Sequence, residues 1–199
     1  MNKLPVMEQF LTLQGEGFHT GRSAVFVRLG GCDVGCVWCD VKESWDVSKH
    51  PLKSLNEIID EANKYPTDFV VITGGEPSMH DLTLLIRELK SQNKYIAIET
   101  AGTNSLPKSI DWICFSPKKF KKPVDEIYTY ANELKVVIYH PSDLMWAKEH
   151  AKKINKNAQL YIQPEWSRSD EHMQIILEFL NENPNWKLSL QTHKFLNIP

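Results

Sequence analysis

Three features are absent from this 199-residue sequence, and each absence narrows the possible functions. No apolar run approaches the ~20 residues that span a bilayer, so no transmembrane helix is expected. Basic and acidic residues nearly balance, at 23 and 25, and the net charge of −2 gives no electrostatic case for bulk nucleic-acid or membrane binding. No repeat, low-complexity tract or long linker divides the chain, so residues 1–199 are expected to form a single domain.

The amino-terminal segment lacks the apolar core of a secretory signal, so we expect a cytoplasmic protein. Cysteine is also scarce: there are four, and three of them fall within eight residues. In a reducing compartment such a group indicates metal binding or catalysis rather than a disulfide framework. The fourth, Cys114, lies between Ile113 and Phe115 and is interpreted as a core cysteine in a strand.

Short β-rich runs alternate with amphipathic segments, a pattern that predicts βαβ units and a parallel sheet. A complete eight-fold barrel needs roughly 250 residues, so we expect an α/β fold with an open, partial β/α barrel of about six parallel strands. The strand candidates are Ala24–Leu29, Phe69–Thr73, Tyr95–Glu99, Trp112–Ser116, Leu134–Tyr139, Gln159–Gln163 and Trp186–Gln191.

Helices are predicted where apolar residues recur at spacings of three and four positions. Ser54 and Glu57 form a capping-box pattern in front of the first helix. Between Cys114 and Leu134 the pattern is poor, which predicts an irregular crossover. The helix candidates are Leu55–Ala62, Leu82–Leu89, Met173–Leu180 and the weaker Ser142–Ile154.

Polar groups follow the strand candidates directly, at the point where each strand ends. The carboxyl ends of parallel strands meet at one rim of a barrel, where α/β folds build their sites. We therefore expect a single active site there. Its segments are the cysteine loop after Leu29 and residues 73–77, 99–102, 116–118, 163–165 and 191–194.

Cys32, Cys36 and Cys39 form a C-x3-C-x2-C motif with glycines beside the thiols. Three thiolates from one short loop can bind three irons of a [4Fe-4S] cluster and leave the fourth iron open to another ligand. The alternative is a structural zinc site, which needs a fourth ligand. His19 or His50 could supply it.

The cysteine spacing, with Trp38 just before the last cysteine, resembles the radical S-adenosylmethionine (SAM) superfamily, and so does the run Gly74-Gly75-Glu76-Pro77. The resemblance implies that a reduced cluster cleaves SAM to methionine and a 5′-deoxyadenosyl radical, and that the glycine run holds the amino group of SAM. This is chemically reasonable, since glycines let backbone groups approach a ligand and the Glu76 carboxylate can accept from an ammonium.

Further motifs are Leu13–Gly17, Arg28 with Gly30-Gly31-Cys32, Thr73, Ser116–Lys118 and Gln191–Pro199. Together they resemble the 7-carboxy-7-deazaguanine synthase family over essentially the whole chain. The resemblance implies a carbon–nitrogen lyase that contracts 6-carboxy-5,6,7,8-tetrahydropterin to 7-carboxy-7-deazaguanine, with loss of ammonia, in queuosine (7-deazapurine) biosynthesis. It also implies magnesium, a homodimer and an electron donor such as flavodoxin or ferredoxin.

The resemblance also implies a role for each matching residue, and it assigns no catalytic side chain because the SAM-derived radical takes the hydrogen. The cluster ligands are Cys32, Cys36 and Cys39. The residues expected to bind SAM are Trp38, Cys39, Asp40, Gly75, Glu76, Ser116, Pro117, Lys118, Gln163, Pro164, Glu165 and Trp166. Those expected to bind the pterin are Leu13, Gln14, Gly15, Arg28, Thr73 and Pro199, the last through a terminal carboxylate.

Several assignments have alternatives. Arg28 is expected to be buried against the substrate carboxylate, with a structural ion pair as the alternative. The Gln14 amide suits a pterin edge because it both donates and accepts, whereas a simple turn is the alternative for this segment. Where the family commonly has a threonine that helps to bind magnesium, this chain has Val41, so no protein ligand of magnesium is assigned.

Two other functions stay open at this point. A radical SAM activase that makes a glycyl radical on a partner protein would share the cysteine loop but would not need Gln14, Arg28 or Pro199. A binding module stabilised by zinc or a cluster would leave the Gly74–Pro77 run and the polar rim without a role.

Overall fold

The computed structural model describes residues 3–199 and contains one nine-stranded sheet. The strands are β1 Lys3–Leu13, β2 Ser23–Leu29, β3 Leu52–Ser54, β4 Phe69–Gly74, β5 Tyr95–Thr100, β6 Trp112–Phe115, β7 Glu133–Ile138, β8 Gln159–Pro164 and β9 Trp186–Leu188. The helices are α1 Leu55–Asn63, α2 Thr83–Ser91, α3 Ile127–Tyr130, α4 Asp143–Ala151, α5 Ser169–Glu182 and α6 Thr192–Leu196.

The sheet runs in the order β3-β1-β2-β4-β5-β6-β7-β8-β9, so it begins and ends at different strands and the barrel is open. The pairs from β2 through β9 are all parallel, whereas β1 is antiparallel to both β2 and β3. The expected open β/α barrel is confirmed. It has seven parallel strands rather than about six, and two antiparallel strands extend one edge.

Strand β1 is the main element that the sequence pattern did not predict. It is long, and it pairs with β2 from Val6↔Leu29 to Leu13↔Ser23 across a bulge between Val6 and Glu8. The bulge interrupts the strict alternation of inward and outward side chains, so the apolar periodicity that identifies a strand is weak there. This strand carries the Gln14 segment to the rim.

The two faces of the sheet differ sharply in polarity. On β4, Val70 and Ile72 pack with the helices in the main core, while Val71 and Thr73 face the inside of the barrel. The inside is apolar near the amino ends of the strands, where Phe69 and Ala97 are buried, and polar near the carboxyl ends. A site can therefore form only at the carboxyl ends.

Helices α1, α2, α4 and α5 follow the predicted positions, whereas α6 was not predicted and the strand expected over Trp186–Gln191 ends at Leu188. Helix α1 begins behind the capping box, in which the Glu57 N–H donates to Ser54 Oγ and the Ser54 N–H donates to Glu57 Oε2 at 2.7 Å. The expected irregular crossover between Cys114 and Leu134 holds only the four-residue α3. Within residues 3–199, no helix is long and apolar enough to cross a bilayer.

Loss of the α1 cap should cost stability. We expect Ser54→Ala to lower the free energy of unfolding by about 1 kcal/mol, because the N–H of Glu57 loses its acceptor. The measurement is urea unfolding under anaerobic conditions. Thr83→Ala, at the first turn of α2, is the matched control and should change stability by less than about 0.5 kcal/mol. Equal losses in both variants would contradict the role of the cap.

Candidate functional site

A cavity of about 640 Å³ opens at the carboxyl ends of the parallel strands. Its size is within the usual range for small-molecule sites. The residues expected from the sequence to bind the pterin, and those expected to bind SAM except Pro117, all line this one cavity. Pro117 instead lines a smaller neighbouring cavity of about 300 Å³ behind Trp38 and Lys118.

The three cysteines of the motif face the cavity as free thiols. The Cys39 N–H donates to the carbonyl oxygen of Cys36 at 3.1 Å, so the loop turns tightly between the thiols. Burial raises the pKa of the Cys36 thiol to about 11, and the positive charge of a bound metal would favour its thiolate. Three free thiols facing one cavity fit a cluster that is held on three of its four irons.

A zinc site fits less well. Within residues 3–199, no three His, Cys, Asp or Glu side chains converge on one ion position, which a mononuclear site would need. His19 packs among the rings of Phe69, Tyr95 and Trp112 at the apolar end of the barrel. His50 Nε2 bonds to the carbonyl oxygen of Glu43. Neither histidine therefore completes a zinc site with the cysteines.

The glycine run packs directly against the cysteine loop. The Gly75 N–H donates to the carbonyl oxygen of Leu29 at 3.0 Å, and the Glu76 N–H donates to that of Gly31 at 2.8 Å. A Cβ atom at Gly75 would lie 2.2 Å from Gly31 O and 2.8 Å from Cys32 Cβ. Only glycine allows this close approach, so the two motifs form one unit.

Glu76 is buried, at 2% exposure, and it braces the loops around it. Its Oε1 accepts from the Thr100 hydroxyl and the Ser78 N–H, and its Oε2 accepts from the Ala101 N–H at 2.7 Å. A carboxylate offers about four acceptor positions, so about one on Oε2 is left for a ligand ammonium.

Lys118 connects the next strand end to the cysteine loop. Its ammonium donates to the carbonyl oxygen and the hydroxyl of Ser116, both at 2.6 Å, and lies 5.8 Å from the centre of the Trp38 ring. Burial lowers the pKa of Lys118. The ammonium is therefore held inside the cavity wall rather than in solvent, as a SAM-binding role would require.

The Gln14–Gly17 segment is not a surface turn. It is largely buried and crosses to the far side of the open barrel, where the Gly17 N–H donates to Ser189 Oγ at 2.9 Å and the Thr192 N–H donates to Gly15 O at 2.9 Å. A Cβ at Gly15 would lie 2.2 Å from His193 Nδ1. The segment closes the gap between the two ends of the sheet.

Arg28 differs from its expected environment. Its side chain is 20% exposed rather than fully buried, and its Nε donates to Glu8 Oε1 on β1 at 2.6 Å. The structural ion pair is therefore present. Because Arg28 also lines the cavity beside Thr73, the other guanidinium nitrogens stay available to an anion.

Lys135 is the functional candidate that the sequence reasoning missed. It lies on β7, is 4% exposed, lines the cavity and pairs with both Glu16 and Glu99. The available signal was the period of two in Glu133–Ile138, in which polar Glu133 and Lys135 alternate with apolar Leu134 and Val136. A lysine on the inner face of a buried strand needs partners, and here they are carboxylates.

Two ion pairs connect the cysteine loop to the segment after β6 and to α6. Asp33 pairs with Lys121, and Asp40 pairs with Lys194 of α6 at 2.9 Å. Lys194 also lies 5.3 Å from the centre of the Trp166 ring, which packs edge-on against Phe195. The loop is thus held at two of its residues, Asp33 and Asp40.

Comparison with known proteins agrees with this geometry. Residues 26–114 match the model of the radical SAM superfamily. The 7-carboxy-7-deazaguanine synthase of Flavobacterium psychrophilum is 52% identical over 98% of this chain and 93% of its own length, and that of Synechocystis sp. is 46% identical with the same coverage. The crystal structure of QueE from Escherichia coli superposes with a TM-score of 0.80 at 29% identity, covering 94% of this chain and 93% of its own.

The contact between the glycine run and the cysteine loop generates a prediction. Gly75→Ala should abolish most cluster loading, since its new Cβ would displace Cys32. The measurement is iron and sulfide content after anaerobic reconstitution. Gly21→Ala is the control, because a Cβ there meets nothing within 4 Å although its φ is also unfavourable. Full cluster loading in Gly75→Ala would contradict this close-approach role.

Proposed function

Because this chain belongs to the 7-carboxy-7-deazaguanine synthase family of radical SAM enzymes, we propose that it contracts 6-carboxy-5,6,7,8-tetrahydropterin to 7-carboxy-7-deazaguanine with release of ammonia. The observation that carries this proposal is the single cavity in which the cysteine loop and the Gln14–Gly17 segment meet. An activase that acts on a partner protein would not need the Gln14–Gly17 segment.

The family implies a [4Fe-4S] cluster and SAM, and the cavity wall offers a place for each. Cys32, Cys36 and Cys39 would hold the cluster. When bound and reduced, the cluster supplies the electron that cleaves SAM into methionine and the radical that takes hydrogen from the substrate. The free acceptor position of Glu76 would receive the SAM ammonium, and Lys118 would lie beside its polar groups.

The opposite part of the cavity would hold the pterin. Arg28 would meet the substrate carboxylate with the guanidinium nitrogens that Glu8 leaves free. Gln14 is buried there, and its amide nitrogen donates to Glu99 Oε1 at 3.3 Å. The pterin edge carries several N–H groups, so an arrangement of amide and carboxylate acceptors is chemically suited to it.

Four further properties belong to the same proposal. The enzyme receives its electron from a small flavin or iron–sulfur protein such as flavodoxin or ferredoxin. It works in the cytoplasm as a homodimer. It uses magnesium, which needs oxygen ligands that water and the substrate carboxylate can supply. Val41 and Asp40 line the cavity, so the ion would lie there with Asp40 in an outer role.

The first test is direct. Protein reconstituted under strict anaerobiosis, with SAM, dithionite, magnesium and the tetrahydropterin, should yield 7-carboxy-7-deazaguanine by mass spectrometry. Cys39→Ala should lose cluster and product together, because one of the three iron ligands is missing. Cys114→Ala should retain its cluster, since this thiol lies on β6 outside the loop. Formation of 5′-deoxyadenosine and methionine without the ring-contracted product would refute the pterin assignment.

A second test addresses magnesium. Val41→Thr places a hydroxyl where this chain has only methyl groups, so we expect the magnesium concentration for half-maximal activity to fall, by about tenfold. The measurement is a magnesium titration of product formation. Val41→Ala, which adds no oxygen, is the control. An unchanged midpoint in Val41→Thr would place the ion elsewhere in the cavity.

A further inference from the structure

Lys135 is a deeply buried charge on the cavity wall, and the proposed reaction does not yet use it. Its Nζ donates to Glu16 Oε2 at 2.5 Å and to Glu99 Oε2 at 2.8 Å. These carboxylates come from different parts of the chain: Glu16 from the segment after β1, and Glu99 from β5. A single ammonium therefore sets the relative position of two acids.

The remaining oxygens of both carboxylates are also oriented. Glu16 Oε1 accepts from the Gln191 amide at 2.9 Å, and Glu99 Oε1 accepts from the Gln14 amide at 3.3 Å. Each carboxylate thus uses about two of its four acceptor positions on the protein. The others remain for a ligand that carries N–H donors.

The charge balance around Lys135 is unusual. One ammonium faces the carboxylates of Glu16, Glu99 and Glu133 in a setting that is largely shielded from water. Burial by itself would lower the pKa of Lys135, but these acids and Cys114 raise it well above its usual value. Burial would raise the pKa of Glu16, but Lys135 and Gln191 hold it well below. Lysine and glutamate therefore keep each other ionised.

Without the lysine, the two carboxylates would no longer both stay ionised. Two carboxylates that share one buried neighbourhood repel each other, and such a pair retains a proton to higher pH. Protonation would turn an acceptor into a donor at the position where substrate N–H groups must be bound. The groups that face this position are Glu16, Glu99, Cys114, Glu133, Lys135 and His193.

We propose that Lys135 is a positioning residue for the substrate, holding Glu16 and Glu99 side by side as paired acceptors for the N–H groups of the aminopyrimidinone part of the pterin. This inference rests on the proposed function. Lys135 acts through the two carboxylates, whereas the cluster and SAM would be bound by other residues of the cavity. The role is therefore separable from radical generation.

The test compares four forms of the reconstituted holoenzyme: wild type, Lys135→Met, Lys135→Arg and Lys187→Met. Lys187 is the matched control, since it lies on β9 of the same parallel sheet, two strands from β7, but is exposed and bonds to Gln159 outside the cavity. Cluster content and 5′-deoxyadenosine formation without pterin should stay within about twofold of wild type in all three variants. These readouts show that each variant is folded and generates radical.

With the pterin present, Lys135→Met should raise KM by about tenfold or more, the scale of one lost hydrogen bond to a charged group. Its kcat/KM should also fall as the pH decreases from about 8 to about 6, because carboxylates freed from the lysine take up protons at higher pH. In wild type, protonation of Glu16 should not lower kcat/KM over this pH range, because Lys135 holds the pKa of Glu16 well below it. Lys135→Arg keeps the charge and should recover part of the affinity.

A double variant then tests whether Lys135 affects substrate binding through Glu16 or by a general effect on the cavity. If Lys135 acts through Glu16, Glu16→Gln/Lys135→Met should be hardly worse than Glu16→Gln alone. Fully additive losses, or a Lys135→Met enzyme with wild-type KM and pH profile, would overturn the inference. If Lys135→Met does not fold, the test uses Lys135→Arg instead. A Lys135→Arg enzyme that shows the raised KM and the pH dependence expected for Lys135→Met, although it keeps the positive charge, would also overturn the inference. A wild-type enzyme that forms no product would instead refute the proposed function.

Discussion

One buried ammonium group determines how the substrate end of this cavity is assembled. Lys135 can remain charged inside the barrel only because Glu16 and Glu99 reach it, and the Glu16 contact in turn requires the Gln14–Gly17 segment to cross the open side of the sheet. Isolated charges in such a setting cost several kcal/mol each, so the three groups are stable only together. The buried charge on the inner wall and the closure of the barrel therefore depend on each other.

The other end of the cavity depends on close backbone contact rather than on charge. Strand β4 ends in glycines that lie against the backbone of the cysteine loop, and Glu76 then ties that junction to the end of β5 through Thr100 and Ala101. Neighbouring strand ends are thereby fixed relative to the thiols. A cluster and SAM need such fixed geometry, because the open iron must face the ligand that completes it.

The sequence was most informative where local rules operate. The capping box at Ser54 and the apolar strands of the parallel sheet are visible in short windows of residues, and both are present in the fold. Strand β1 was missed because its bulge disturbs the alternation that marks a strand. The single cavity was anticipated because parallel strand ends converge, whereas the individual contacts of Arg28 and Lys135 depend on partners that are distant in sequence.

The contacts that close the barrel join residues 15–17 to residues 189–192, which are far apart in the sequence. Gly17 bonds to Ser189, Glu16 to Gln191 and Gly15 to Thr192, whereas the backbone bonds between the cysteine loop and the glycine run join residues 29–31 to residues 75–76. A chain emerges from the ribosome amino terminus first. The thiol end of the cavity can therefore be assembled while synthesis continues, but the substrate end cannot exist until residues 189–192 have been added.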